Sequence, residues 1–243
     1  MKHIYTLAAA SLAFLAASAT VPPSYKMKTV TRQGINHYEA NENTKGTIAD
    51  GRVSINGTDL GRAVEISSIS VADDADYIFV KPTSSGSADG STWENAMGVA
   101  QFAARLGSGD ASLLNGKIFC LSGGDYNLYG LAPRSEYETA SYLPLNFPGA
   151  ASAVNITISG GFDPASTGKS VARLAPAKYP TVFSGDNPSA GTQGKPDAAD
   201  AAGFYIGANA CVDISDVTFT CFYGKRGAAF YLHATNSARA DLN

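Results

Sequence analysis

The chain has 243 residues and a formal net charge of -3 at pH 7, with 25 glycines and only 16% charged residues. A charge this close to balance argues against a nucleic-acid-binding protein, which needs a basic face, and it creates no field that would gather an acidic polymer. Abundant glycine with few charged residues favours a turn-rich β protein over a helical bundle, and the length allows one domain or two.

Residues 1–19 have the pattern of a secretory signal peptide. Lys2 and His3 precede an apolar run from Ile4 to Ala17, and Ala17-Ser18-Ala19 forms a small-residue cleavage site. The run is too short for a comfortable membrane span, and a membrane anchor or a buried helix is the alternative interpretation. The sequence therefore predicts an exported protein with no transmembrane segment after signal cleavage.

Residues 20–76 are predicted to form a small β segment behind a proline-containing lead-in. Asp50-Gly51 and Asn56-Gly57 are turn dipeptides. Between them Val53 and Ile55 alternate with polar residues, which is the period of a half-buried strand. This segment is either a small sandwich-like module or the first turns of the main body of the protein.

Three aspartates lie where this β segment ends: Asp73, Asp74 and Asp76. Hard cations take carboxylate ligands, so these residues are the candidate metal site, and calcium is the one cofactor considered. A solvated turn is the simpler interpretation of the same residues. No spacing of cysteine and histidine indicates zinc.

The main body is predicted to occupy residues 77–243. Tyr77 to Pro82 has the composition of a strand, and a loop rich in serine and glycine follows it. Thr92 is a suitable N-cap, and the apolar residues after it lie near one face of a helix predicted from Trp93 to Leu106. Lys117 to Leu121 is predicted to be the next strand.

From Val154 onward the sequence predicts short strands at a roughly regular spacing. Phe204-Tyr205-Ile206 is followed 26 residues later by Phe230-Tyr231-Leu232, and a last strand is predicted from Ala238 to Asn243. A period of about 20–50 residues is typical of a solenoid, in which one unit stacks on the next. Because no capping element follows the last predicted strand, we expect this chain to be the start of a longer solenoid.

The order of motifs in the main body resembles the opening of the secreted right-handed parallel β-helix proteins. The shared motifs are an Asp-Gly-Ser-Thr-Trp element at Asp89–Trp93, a Gly-Gly-Phe strand at Gly160–Phe162 and a Ser-Gly-Asp strand at Ser184–Asp186. This family is related in fold to pectin and pectate lyases and to polymorphic outer-membrane proteins, and it is common among Bacteroidetes-type envelope proteins. The resemblance covers Tyr77 to Leu242. It implies an all-β fold, a right-handed parallel β-helix with an N-terminal capping helix, here preceded by the small β segment.

The resemblance implies an exported protein that is located at the cell surface, at the outer membrane or outside the cell. By analogy with this fold, we expect a non-catalytic, adhesin-like scaffold whose partner is a polysaccharide or a host-surface glycan. The alternative is a polysaccharide lyase or glycoside hydrolase that acts on acidic polysaccharide, since related enzymes use aspartate and arginine side chains. The candidate catalytic residues are Asp213, Asp216, Arg226 and Asp241, and a solvated surface is their simpler interpretation.

Four tyrosines lie in a segment without clear periodicity and are the candidate glycan contacts: Tyr126, Tyr129, Tyr137 and Tyr142. An exposed aromatic ring can stack on the apolar face of a sugar, but tyrosine is also ordinary packing material for a long loop. Further along, Asp186-Asn187-Pro188 and the polar residues 189–202 are predicted to form a surface excursion. A plain insertion and a binding loop are the two interpretations of that excursion.

The chain has three cysteines: Cys120, Cys211 and Cys221. In an exported protein an odd number leaves at least one thiol outside any intramolecular disulfide. Cys211 and Cys221 could pair, but geometry decides that and the sequence does not show it. Three small buried apolar residues are the simpler interpretation.

Overall fold

The structure is a computed structural model, and it describes residues 25–31, 34–40, 44–63, 66–72, 74–131, 145–171, 176–189, 191–195, 201, 203–223, 229–232 and 239–242. The predicted signal peptide, residues 1–19, lies outside these ranges. The chain divides into two compact units, Met1–Asp74 and Ala75–Asn243. None of the helices in the described ranges has the length and apolar character needed to cross a membrane.

The described strands of the first unit form two antiparallel sheets. One sheet has the order β2-β1-β6 and consists of β1 (Tyr25–Thr31), β2 (Gly34–Ala40) and β6 (Ile66–Ala72). The other has the order β3-β4-β5 and consists of β3 (Gly46–Ala49), β4 (Arg52–Ile55) and β5 (Thr58–Arg62).

The second of these sheets follows the sequence pattern closely. Asp50 and Asn56 adopt positive φ angles of 51° and 49°, as the two turn dipeptides require. Between these turns β4 buries Val53 and Ile55 and leaves Arg52 exposed, so the alternation that predicted a half-buried strand is confirmed.

Two parallel sheets form the frame of the second unit. The long sheet has the order β14-β12-β10-β8-β7, with β15 also paired to β12. Its strands are β7 (Tyr77–Val80), β8 (Ile118–Ser122), β10 (Leu145–Phe162), β12 (Phe204–Ser215), β14 (Phe230–Leu232) and β15 (Arg239–Leu242). The short sheet has the order β13-β11-β9 and consists of β9 (Gly124–Asn127), β11 (Thr181–Ser184) and β13 (Val217–Thr220).

The core of the second unit is formed by inward-facing residues from both parallel sheets. Tyr126, Phe183 and Phe219 are register partners across the short sheet, with ring centroids 5.2 and 5.5 Å apart. Ile158 of β10 is the register partner of Phe119 on one side and of Ile214 on the other, and all three are buried. Burying each large apolar side chain contributes roughly 1.5–3 kcal/mol.

Two helices accompany the parallel sheets: α1 (Val99–Gly107) and α2 (Ala111–Leu114). The helix predicted from Trp93 therefore begins later, because Gly98 is in an extended conformation and is the N-cap. Thr92 instead closes a local turn, in which its hydroxyl oxygen accepts the N–H of Asn95 at 3.2 Å.

The predicted fold class, an all-β right-handed parallel β-helix, is wrong. The described residues of the second unit form parallel sheets combined with helices, a mixed α/β arrangement, and no solenoid is detected among them. A solenoid stacks units of one length. Here Tyr77 and its register partner Ile118 are 41 residues apart, whereas Phe204 and Phe230 are 26 residues apart. Connections of very different length, one of which contains both helices, break the repeat that the sequence suggested.

Candidate functional site

The outer face of the short sheet is polar. Residues of β9, β11 and β13 alternate between the core and the outside, so Asn127, Ser184 and Thr220 form one in-register row. Asn127 is exposed, and the other two are half-buried. Neighbouring strands in a sheet are about 4.7–4.9 Å apart, so this row presents hydrogen-bonding side chains at a regular spacing.

Pairing in the short sheet continues past the ends of its strands. The N–H of Leu128 donates to the carbonyl of Ser184 at 2.8 Å, and the N–H of Gly185 donates to the carbonyl of Thr220 at 3.2 Å. Asn127 links the residues that follow: its amide nitrogen donates to the Asp186 carbonyl at 3.1 Å, and its Oδ1 accepts the N–H of Tyr129 at 2.8 Å. Tyr129 and Asp186 are therefore held at the same end of the sheet.

An exposed aromatic ring is anchored at this end as well. The N–H of Tyr223 donates to the carbonyl of Ala201 at 2.9 Å, and the N–H of Ala201 donates to the carbonyl of Gly185 at 2.8 Å. The Tyr223 side chain is 47% exposed, although Phe222 before it is buried. We call Asn127, Tyr129, Asp186 and Tyr223 together the strand-end site.

Asp186 has an unusual environment within the strand-end site. Its backbone N–H donates to Ser184 Oγ at 3.1 Å, and its Oδ2 accepts the N–H of Gly194 at 3.1 Å. Its other carboxylate oxygen, Oδ1, is buried and has no hydrogen-bond partner among the described residues. The polar excursion predicted after Ser184 is thus folded back onto this carboxylate at Gly194.

Of the two predicted glycan-contact tyrosines that lie in described segments, one is partly exposed and the other is buried. Tyr126 is fully buried, and its hydroxyl lies 3.0 Å from the carbonyl oxygens of both Val80 and Ser122. Burial raises the pKa of Tyr126 far above its ordinary value. Tyr129 is half-buried, and Tyr137 and Tyr142 lie outside the described residues. Tyr126 therefore leaves the set of candidates, because its ring is inside the core.

The candidate catalytic residues are brought together only in part. Asp213 of β12 and Asp241 of β15 are register partners in the long sheet. Asp213 is half-buried. Asp216 is exposed in the turn between β12 and β13, with a φ of 54°. Arg226 lies outside the described residues.

One of the three candidate metal residues, Asp76, is paired with a lysine. Asp74 begins a 3-10 turn that ends at Asp76, and Asp73 is not among the described residues. Oδ1 of Asp76 accepts Lys117 Nζ at 3.0 Å, and the same ammonium donates to the carbonyl of Ala75 at 3.0 Å. Asp76 therefore ties the start of β7 to the start of β8. Within the described ranges, no group of three or more His, Cys, Asp or Glu side chains is arranged to hold a metal ion.

The three cysteines form no disulfide bond, and all three lie in described segments. Cys120 and Cys221 are buried, and Cys211 is half-buried. The pairing of Cys211 with Cys221 that the sequence left open is therefore absent. The simpler interpretation, a small buried apolar side chain, fits Cys120 and Cys221.

Sequence reasoning missed Asn127 and Tyr223. The signal was present in part, because Tyr129 and Tyr223 each come shortly after a strand of the same sheet. The positions of these two tyrosines indicate a shared site only when the register of β9 and β13 with β11 is known.

Comparison with known proteins identifies no relative. No family model matches the chain, and no curated protein and no solved structure matches it significantly.

Proposed function

We propose that this protein is an exported, non-catalytic scaffold that contacts glycans through the strand-end site. The observation that carries the proposal is the exposed ring of Tyr223 at the end of a sheet face lined with amide and hydroxyl side chains. The sequence of residues 1–19 supports export, to the cell surface, the outer membrane or the extracellular space.

The side chains of the strand-end site match the two chemical faces of a sugar. A tyrosine ring offers a large apolar surface with a polar tip, which suits the apolar face of a pyranose and its flanking hydroxyl groups. Asparagine donates and accepts, serine and threonine hydroxyls do both, and an ionised aspartate only accepts. Sugar hydroxyls also do both, so the row Asn127, Ser184 and Thr220 complements them.

Preorganisation favours binding at this site. Asn127 is fixed by its bonds to the Asp186 carbonyl and the Tyr129 N–H, and the backbone of Tyr223 is fixed through Ala201. Side chains that are already ordered lose less freedom on association, so more of the contact energy remains as affinity.

The site also supports binding rather than hydrolysis. Glycosidases place two carboxylates on either side of the scissile bond, one of which acts as an acid. The strand-end site contains a single carboxylate, that of Asp186, together with an amide and two phenols.

The test is a binding screen of the full chain against neutral and acidic polysaccharides, followed by titration calorimetry on the ligands found. We expect Tyr223→Ala to weaken binding about tenfold, which corresponds to the loss of a contact worth about 1.4 kcal/mol. Leu113→Ala is the matched control, because Leu113 is also an exposed apolar side chain, 41% accessible, but lies on α2. Equal affinity of wild type and Tyr223→Ala would contradict the proposal, as would a screen with no ligand.

The second candidate is a lyase or hydrolase acting on acidic polysaccharide, and the register of Asp213 with Asp241 is the observation in its favour. The measurement is turnover of polygalacturonate with calcium, read as new unsaturated products or new reducing ends. Turnover that is lost in Asp213→Asn and kept in Asp125→Asn, an exposed aspartate of the short sheet, would establish the enzyme. If the wild-type chain shows no turnover, the enzyme proposal is rejected and the scaffold proposal is retained.

A further inference from the structure

One carboxylate oxygen of the second unit is buried without a hydrogen-bond donor among the described residues: Oδ1 of Asp186. Oδ2 of the same carboxylate accepts the N–H of Gly194 at 3.1 Å. A buried charged oxygen that has lost its water and gained no partner is strongly disfavoured, so native proteins supply a donor, an ordered water or a cation.

No described basic side chain neutralises this carboxylate. Lys178 and Lys195 are the basic residues nearest in sequence within the described ranges, yet both are exposed and no ion pair joins either of them to Asp186. Asn127 also approaches, but its amide nitrogen donates to the Asp186 backbone carbonyl and not to the carboxylate. The charge of Oδ1 therefore remains uncompensated by the protein atoms described.

The chain after Asp186 folds back around the carboxylate. Asn187 is buried, its Oδ1 accepts the N–H of Ser189 at 2.9 Å, and its carbonyl accepts Gln193 Nε2 at 2.5 Å. Gly191 and Gly194 have φ angles of 82° and 71°, a left-handed conformation that glycine adopts without strain. The loop is closed by hydrogen bonds to both oxygens of Asn187, the residue that follows Asp186 in the chain.

We propose that Asp186 binds a hard divalent cation, calcium, through Oδ1. Calcium takes six to eight oxygen ligands, drawn from carboxylates, backbone and side-chain carbonyls and water, and tolerates flexible geometry. A single carboxylate with carbonyl and water ligands makes a weak site, in the class found in extracellular modules. The Gly194 N–H occupies Oδ2 and leaves Oδ1 as the oxygen directed to the ion.

The test is thermal unfolding of the full chain, first treated with chelator and then titrated with calcium chloride, in the absence of any glycan. A ligand that binds only the folded state raises the midpoint, and at one hundred times Kd we expect a rise of about 5–10 °C. Magnesium chloride is the companion titration, and we expect a smaller rise because magnesium demands near-ideal octahedral geometry.

Asp186→Asn removes the charge and keeps an oxygen that can accept the Gly194 N–H, so we expect it to fold and to lose the calcium-dependent rise. Asp125→Asn, which removes an exposed aspartate from the same sheet, should keep the full rise. If Asp186→Asn does not fold, calorimetric titration of the chelator-treated wild type with calcium decides alone. A wild type that shows neither a shift nor binding heat overturns the proposal. A full rise in Asp186→Asn overturns it as well. Because no glycan is present, these results are independent of the glycan assay.

Discussion

The two edges of the long sheet are finished in different ways. At the β7 edge, the N–H of Phe79 donates to the carbonyl of Gly90 at 3.0 Å and the N–H of Met97 donates to the carbonyl of Phe79 at 3.0 Å. The N–H of Lys81 then donates to the carbonyl of Met97 at 2.9 Å. At the opposite edge, β14 and β15 pair with β12, and no other strand in the described ranges pairs with them.

The core is more deeply buried beneath the β7 edge than beneath the β14 edge. Beneath the β7 edge, Phe102 of α1 is fully buried, with its ring centroid 5.1 Å from Phe119. Beneath the β14 edge, Phe219 and Phe230 pack edge to face at 4.6 Å, and both are only half-buried.

The difference shows that edge protection is encoded locally in this unit. The segment that covers β7 follows it directly in sequence, so the chain completes that edge as soon as the strand exists. An edge strand without a partner exposes a row of unpaired N–H and C=O groups, and among the described strands β14 and β15 pair only with β12. Because stability varies across a structure with burial and with hydrogen bonding, we expect the β7 side to open last and the β14 side first.

The largest effect is expected for Trp93→Ala, which breaks the covered edge. Trp93 is fully buried, with ring centroids 4.8 Å from Phe79 and 5.7 Å from Phe162. Its indole N–H donates to the carbonyl of Ser170 at 2.8 Å. Removing a buried aromatic side chain of this kind costs about 3–5 kcal/mol. The measurement is urea denaturation followed by far-UV circular dichroism.

Trp93→Phe is the matched variant, because it keeps an aromatic ring and removes only the indole nitrogen and part of the volume. We expect it to lose distinctly less stability than Trp93→Ala. A typical point mutation lowers the free energy of unfolding by about 1 kcal/mol. If Trp93→Ala lowers it by less than that, the covered edge is not the stable side of the unit.

A second pair of variants sharpens the comparison between the two sides of the core. Phe102→Ala, on the α1 side, should cost about 3–5 kcal/mol, since Phe102 is fully buried against Phe119 and Phe183. Phe219→Ala, at the other edge, should cost about half as much, because its side chain already contacts water in the native state. Urea denaturation of both variants and of the wild type gives the two losses in free energy of unfolding, which can be compared directly. Equal losses would mean that the β14 side is as well packed as the β7 side.

The local elements of this molecule could be predicted from sequence. The turns at Asp50-Gly51 and Asn56-Gly57 and the alternating strand between them follow from backbone preference and burial period alone. The strands β7 and β8 lie inside the predicted ranges Tyr77 to Pro82 and Lys117 to Leu121, apart from Ser122 at the end of β8. Each of these features depends on residues that are close together in the chain.

The predictions that were wrong or missing concern residues whose contact partners are distant in sequence. Trp93 was assigned to a helix because apolar periodicity does not distinguish a helix face from a loop residue buried under a sheet, where Trp93 meets Phe162. Tyr126 was taken as a ligand contact, yet the register of β9 with β11 points it into the core. Asp186 and Tyr223 meet the end of the sheet through Asn127 and Ala201, which no local pattern indicates.

The smallest effect is expected for Glu94→Gln, which loosens the covering segment without opening the core. Both oxygens of the Glu94 carboxylate accept the N–H of Gly168, at 2.9 and 3.1 Å. That hydrogen bond to the charged form holds the pKa of Glu94 below its ordinary value of 4.5. A carboxyl group whose pKa is lower in the folded state stabilises the fold above its unfolded pKa, and this contribution disappears as the pH falls through the folded pKa.

At pH 7 we therefore expect the wild type to be slightly more stable than Glu94→Gln, whose amide can still accept the Gly168 N–H but has no charge. The difference should shrink as the pH falls below 4.5, since protonation gives the wild type a neutral side chain too. Urea denaturation at pH 7 and pH 3 measures it, with the fluorescence of Trp93, the one tryptophan of the chain, as a probe beside the mutated residue. A stability difference that is the same at both pH values would show that the charge of Glu94 does not hold the covering segment.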